Sequence, residues 1–214
     1  MERSENASSV FGTHTSATLL LRLQDLEDHE AWAAFVERYA PVVFSWCRRF
    51  SLQDSDAANV TQDVLVKLMR SMRSFRYEPG KGRFRGWLKT VTANAVRDLA
   101  RSWEGRIRGS GDDSRQNPLN SLQAPDAIES LSADIEAQYQ RELLAKATDL
   151  VRPRVKPANW AAWELTSVKN LPAVKAASEI GITIGAVYVA RSRVNRLLAA
   201  EVARVQQLEE GEQA

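Results

Sequence analysis

Arg73, Arg76, Arg83 and Arg85 alternate with the rings of Phe75, Tyr77 and Phe84 around the turn Glu78-Pro79-Gly80-Lys81-Gly82. Residues of these types fit one chemistry. Guanidinium groups follow a phosphate backbone while aromatic faces stack on unpaired bases, each stacked base contributing roughly 1–3 kcal/mol. A second set lies near the C-terminus. Pro172 to Ile180 reads as a short helix, Gly181 ends it in the left-handed conformation that glycine adopts at least cost, and Thr183 caps a helix running on to Leu197. Small Ala177 where the helices cross, Gly181 at the corner and Val187 between them have the spacing of a helix-turn-helix. Its outward positions, Thr183, Gly185, Tyr188, Ser192 and Arg193, suit phosphate and base-edge contact, and Arg191 and Arg196 add charge.

Other chemistries are poorly supplied. The single cysteine, Cys47, excludes an intrachain disulfide and a Cys-based zinc or iron–sulfur site. It lies on an apolar helical stripe and reads as a small core residue. The two histidines, His14 and His29, form no cluster, and the acidic residues lie on helix faces without the convergence that an enzyme acting on DNA needs. No catalytic residue, metal or cofactor is therefore expected. The N-terminal MERSENASSV lacks the apolar run of a secretory signal, and no apolar run approaches a membrane span, so a cytoplasmic protein is expected.

The elements that must position these residues follow from hydrophobic period. At 44% hydrophobic and 26% charged, the composition is that of a soluble globular chain. Leu19, Leu20 and Leu23 open a short helix. Trp32, Phe35, Val36, Tyr39, Val42, Val43, Trp46, Cys47 and Phe50 mark a second, with Pro41 inside it. Val60, Val64, Leu65, Leu68, Met69 and Met72 mark the apolar side of a third, whose start carries Asp56, Gln62 and Asp63. Helicity resumes at about Gly86, where Trp87, Leu88, Val91, Ala95, Val96 and Leu99 form a buried face and Lys89, Asn94, Arg97 and Arg101 an outward one. Trp87 opens that apolar face and reads as core; Tyr77 and Phe84 are surplus to it. Residues 104–131 read as a flexible linker. Ile135, Tyr139, Leu143, Leu144, Ala147 and Leu150 mark a further helix, broken by Pro153 and Pro157. No strand-period run appears. The expected fold is all-α: a disordered lead-in over 1–15, a helical domain over 16–103, the linker, a helix-turn-helix domain over 132–205 and an acidic tail over 206–214.

Charge sorts along the same segments. Residues 67–108 hold 12 Lys/Arg against 3 Asp/Glu, and residues 169–200 hold 5 against 1, whereas residues 24–63 and 120–150 carry net charges of −5 and −4. Two separated basic blocks in a chain of net charge +2 are the footprint of a polyanion partner.

The stretch from Ser74 to Asp98, SFRYEPGKGRFRGWLKTVTANAVRD, preceded by DAANVTQD from Asp56 to Asp63, resembles the second domain of a bacterial sigma factor. The C-terminal helix-turn-helix resembles the fourth domain. The pair in this order is similar to the extracytoplasmic-function (ECF) class of the sigma-70 family, over about residues 16–205. The resemblance implies a transcription initiation factor, not an enzyme, whose partners are the beta and beta-prime subunits of core RNA polymerase and promoter DNA, double- and single-stranded, with an anti-sigma factor as a further possible partner. It implies core binding through Asp56, Gln62, Asp63 and Lys67. It implies recognition and melting of the −10 element through Phe75, Tyr77, Arg83, Phe84, Arg85, Trp87, Lys89, Asn94, Arg97 and Arg101. It implies −35 reading through Thr183, Ile184, Gly185, Tyr188, Arg191, Ser192 and Arg193, and a linker that threads toward the polymerase active site. The competing reading is a helix-turn-helix repressor or activator acting without polymerase, which has no use for the upstream basic-aromatic block.

Overall fold

The computed structural model describes residues 17–73, 75, 83–109 and 118–211, and every regular element among them is helical. In order these are α1 (Ala17–Arg22), α2 (His29–Arg49), α3 (Asp54–Met72), α4 (Arg83–Gly109), a 3-10 turn (Pro118–Gln123), α5 (Pro125–Val151), a second 3-10 turn (Arg152–Arg154), α6 (Pro157–Trp163), a π-helical turn (Glu164–Val168), α7 (Ala173–Ile180) and α8 (Ile184–Gly211). They divide into two compact units, one ending at Gln140 and one running from Arg141 to Glu212.

The first unit is built on α2. Asp28 caps it by accepting the Ala31 N–H at 3.0 Å, which satisfies one of the free donors of the first turn. Trp32, Phe35, Tyr39, Val43, Trp46 and Cys47 then line one buried side, against Val60, Val64, Leu68 and Met72 of α3 and Leu88, Ala95, Val96 and Ala100 of α4. Pro41 stands inside α2 without ending it. Burial pushes the Cys47 thiol up to about 12, so at neutral pH it is a protonated, unreactive core group.

Arg22 clamps the start of α2, with Nε 2.7 Å from Asp28 Oδ2 and Nη2 2.8 Å from Glu30 Oε2. The hydrogen bond from Arg22 is the main cause that lowers the Asp28 carboxyl to about 2. A carboxylate held below its unfolded value stabilises the fold above that value, near pH 4, and the contribution is lost as pH falls to about 2. Asp28→Asn keeps a capping oxygen but cannot ionise. It should lower the melting temperature at neutral pH and shallow its fall between about pH 4 and 2; parallel melting curves for variant and parent would show that the pair contributes nothing.

Helical structure enters the expected linker, 104–131, from both ends: α4 continues to Gly109, and a 3-10 turn begins at Pro118. Leu119, Leu122, Ala127, Leu131 and Ile135 are buried in the core of the first unit. Trp46 Nε1 donates to the Ala127 carbonyl at 2.7 Å, Ser121 Oγ donates to the Phe50 carbonyl at 2.9 Å, and Arg49 reaches Ser130 Oγ at 2.6 Å and Asp134 Oδ1 at 3.1 Å. Of residues 104–131, only 110–117 lie outside the described residues. The polar composition of this stretch concealed four apolar residues spaced to pack on one side.

The second unit has two small cores. Ala147, Val151, Trp160, Trp163, Val194 and Leu198 form one; Ala162, Leu165, Ala176, Ala177, Val187 and Ala190 form the other. Trp163 joins α6 to α8 by donating Nε1–H to Asn195 Oδ1 at 2.7 Å. Pro157 occupies the first turn of α6, where no N–H is needed. Leu144 and Leu150, expected on the apolar side of α5, are exposed, while Glu142 is buried. Among the described residues no single helix is long and apolar enough to cross a membrane.

Candidate nucleic-acid interface

α4 carries the first candidate face. Phe84, Leu88, Ala95, Val96 and Ala100 turn into the core, which leaves Thr90, Asn94, Arg97, Asp98 and Arg101 exposed on the other side. Arg97 Nη1 donates to Asn94 Oδ1 at 2.5 Å, so the amide and the guanidinium, one turn apart, form a single polar unit. Both side chains are exposed. Asp98 lies beside them, and Lys67 Nζ of α3 donates to its Oδ2 at 2.7 Å, which is the chief reason its carboxyl sits below the ordinary range. Arg101 approaches the same carboxylate at 3.4 Å. The face therefore presents two exposed arginines and a hydrogen-bonding amide around one neutralised acid. That suits an anionic backbone with a base edge nearby.

The aromatic part of the expected face is placed differently. Phe75 and Phe84 are buried, with ring centroids 6.2 Å apart, and Phe84 lies 5.8 Å from Tyr39 and 6.2 Å from Phe35. Trp87, half-buried, closes the cluster at 4.6 Å from Phe75 and 5.7 Å from Phe84. Phe75 and Phe84 thus lie in the core, and Trp87 packs on both while keeping part of its surface exposed. The cause is the start of α4: the helix begins at Arg83, one turn before the expected Gly86, so Phe84 joins the apolar stripe through Leu88 instead of standing outside it. Arg85 is also committed within the unit, with Nε 2.9 Å from Glu136 Oε2 and its guanidinium 3.8 Å above the Tyr139 ring. Lys89 is half-buried. Tyr77 and the side chain of Arg83 lie outside the described residues.

On α3, Gln62 and Asp63 are exposed side by side, and Asp56 is half-buried near the helix start. Lys67, expected to face a partner with them, is bonded to Asp98. Val66 and Met69 are exposed on the same helix, although Met69 had the spacing of a core residue. The result is a mixed surface in which Gln62, Asp63 and Arg70 adjoin two apolar side chains. The sequence signal for Val66 was its position, three after Asp63 and four after Gln62.

In the second unit α7 and α8 meet at 100°, within the range of a helix-turn-helix. Gly181 takes φ +76°, a left-handed value, and the N–H groups of Gly181 and Ile182 both close on the Ala177 carbonyl, at 3.0 and 3.1 Å. Val187 is fully buried between the helices, and Thr183 Oγ1 accepts the Ala186 N–H at 3.2 Å, the cap expected from the sequence. Ile184, Gly185, Tyr188, Arg191, Ser192 and Arg193 are all exposed. Two further residues share this outward surface, Val189 and Arg196. Val189 falls between Gly185 and Ser192 at helical spacing, a signal that could have found it. Among the described residues no three His, Cys, Asp or Glu side chains converge to hold a metal ion.

Residues 35–106, the segment holding α3 and the exposed face of α4, match the family model of sigma-70 region 2. Over 167 residues the chain is 29% identical to the ECF RNA polymerase sigma factor SigE of Mycolicibacterium smegmatis (strain ATCC 700084 / mc(2)155). That similarity covers 78% of this chain and 58% of the relative, so the chain spans little more than half of the relative's length.

Proposed function

We propose that this protein is a sigma factor of the ECF class, which binds core RNA polymerase and directs it to specific promoters. The observation that carries the reading is the order of parts: a sigma-70 region 2 domain followed by a helix-turn-helix with an exposed second helix. In this reading Gln62, Asp63 and the neighbouring Val66 and Met69 meet the polymerase. Asn94, Arg97 and Arg101 meet the −10 element and favour its opening, and α8 reads the −35 element. Strand opening costs several kcal/mol, and contacts to an extruded base offset part of it. No catalytic side chain is required, because polymerisation belongs to the core enzyme. A repressor acting alone gives no use to the region 2 domain.

The test is transcription in a purified system. Core polymerase with this protein should start at promoters that core alone ignores; a symmetric DNA footprint without polymerase, and no initiation with it, would favour the repressor. A variant probes the second DNA contact. Arg193→Ala should weaken protection of the upstream element. If the guanidinium meets a phosphate, the slope of log affinity against log salt should flatten by about 0.9. If it reads a base, the loss should be roughly 1–3 kcal/mol at one promoter position. Unchanged protection at every salt concentration would place Arg193 off the DNA.

A further inference from the structure

We propose that the first turns of α8 read their DNA element through thymine methyl groups, with Ile184, Tyr188 and Val189 setting this specificity. The inference rests on the −35 reading and adds to it the chemistry of the bases read. The residues that open a recognition helix are those that meet base edges in the major groove. Here they are Ile184-Gly185-Ala186-Val187-Tyr188-Val189-Ala190, a run with no amide and no charged side chain. Val187 and Ala190 are buried, whereas Ile184, Tyr188 and Val189 stand 43%, 58% and 68% exposed. The Thr183 hydroxyl already holds the Ala186 N–H. The arginines of this surface, Arg191, Arg193 and Arg196, come a turn or more later, where they suit phosphates flanking the groove. Side-chain hydrogen-bond readout at the helix start is thus left to two hydroxyls, that of Tyr188 and the O–H of Thr183, which accepts from Ala186 and can still donate. The major groove offers one apolar feature to such a surface, the C5-methyl of thymine.

Gly185 supports the same contact independently. A Cβ built there meets nothing within 4 Å, and its backbone is not left-handed. Neither packing nor conformation within the protein requires glycine, although glycine in a helix costs about 1 kcal/mol relative to alanine. Its place between Ile184 and Val189 on the outward surface is explained by close approach of a partner to the helix backbone.

The experiment uses the full chain with core polymerase and a pool of random DNA duplexes. Selection should enrich an upstream box containing at least two A·T pairs. The enriched duplex is then remade with deoxyuridine for thymidine in that box, which removes only methyl groups. Each contacted methyl removed should weaken binding about fourfold, the factor that corresponds to roughly 0.8 kcal/mol for one buried carbon. Val189→Ala should weaken binding to the thymine duplex by a similar factor and lose sensitivity to the uracil exchange at one position. Gly185→Ala should weaken binding while leaving helix content unchanged or raised. Equal binding of thymine and uracil duplexes, or an enriched box without A·T pairs, overturns the methyl readout alone. If no upstream box is enriched while the holoenzyme still initiates, the −35 reading falls and this inference with it.

Discussion

Leu131→Ala should destabilise the first unit by about 2–5 kcal/mol, the range for truncating a fully buried leucine. Leu131 is 0% exposed, as are Leu119, Leu122 and Ala127 around it, and Trp46 ties this segment to α2 through the Ala127 carbonyl. In a flexible linker the same substitution would change stability by less than about 0.5 kcal/mol. The two outcomes are far enough apart for a urea titration to separate them. Amide hydrogen exchange on the full chain locates the effect. Protection should fall in α2, α3 and α4 and stay at the parent level in α7 and α8, whose core residues are a separate set. A change of a few tenths of a kcal/mol, or a loss of protection confined to α5, would show that residues 118–140 do not hold the first unit together.

Long, strongly periodic helices were the legible part of this fold. α2 and α3 follow from aromatic and aliphatic residues at spacings of three and four, and the helix-turn-helix follows from one small and one β-branched position, Ala177 and Val187, on either side of Gly181. The segment from Pro118 to Ile135 was not legible because local composition hides long-range packing. Its leucines are interleaved with Asn, Ser, Gln and Pro, and only α2 and α4, distant in sequence, show that those leucines share one side. The same effect misplaced the aromatics. Phe75 and Phe84 beside arginines have the composition of a nucleic-acid surface, yet Phe84 packs on Phe35 and Tyr39, far upstream, and Phe75 packs on Phe84. Asn94 and Arg97 were legible because their faces follow from helical period alone. Arg85 was not, because the side chains that hold it, Glu136 and Tyr139, lie beyond the expected linker.

In the proposed reading the exposed polar face of α4 contributes to strand opening, since Phe75 and Phe84 are buried in the core and Trp87 is half-buried against them. Asn94→Ala and Arg97→Ala should therefore reduce opening at the −10 element by about tenfold each, the factor for losing a hydrogen bond to a charged group. Closed-complex binding should fall much less, because Arg101 remains on the same face and the flanking phosphates do not depend on either residue. Both side chains are exposed, so neither substitution should alter stability by more than about 0.5 kcal/mol. Since the two groups bond to each other at 2.5 Å, removing one also releases the other, and the double variant should lose less than the product of the single losses. Permanganate reactivity of promoter thymines measures opening, and a gel shift of holoenzyme on duplex DNA measures binding. A template with a pre-opened bubble should restore transcription by both variants, because it supplies the step they lack. If the variants lose the same fraction of activity on duplex and bubble templates, Asn94 and Arg97 hold DNA without helping to open it.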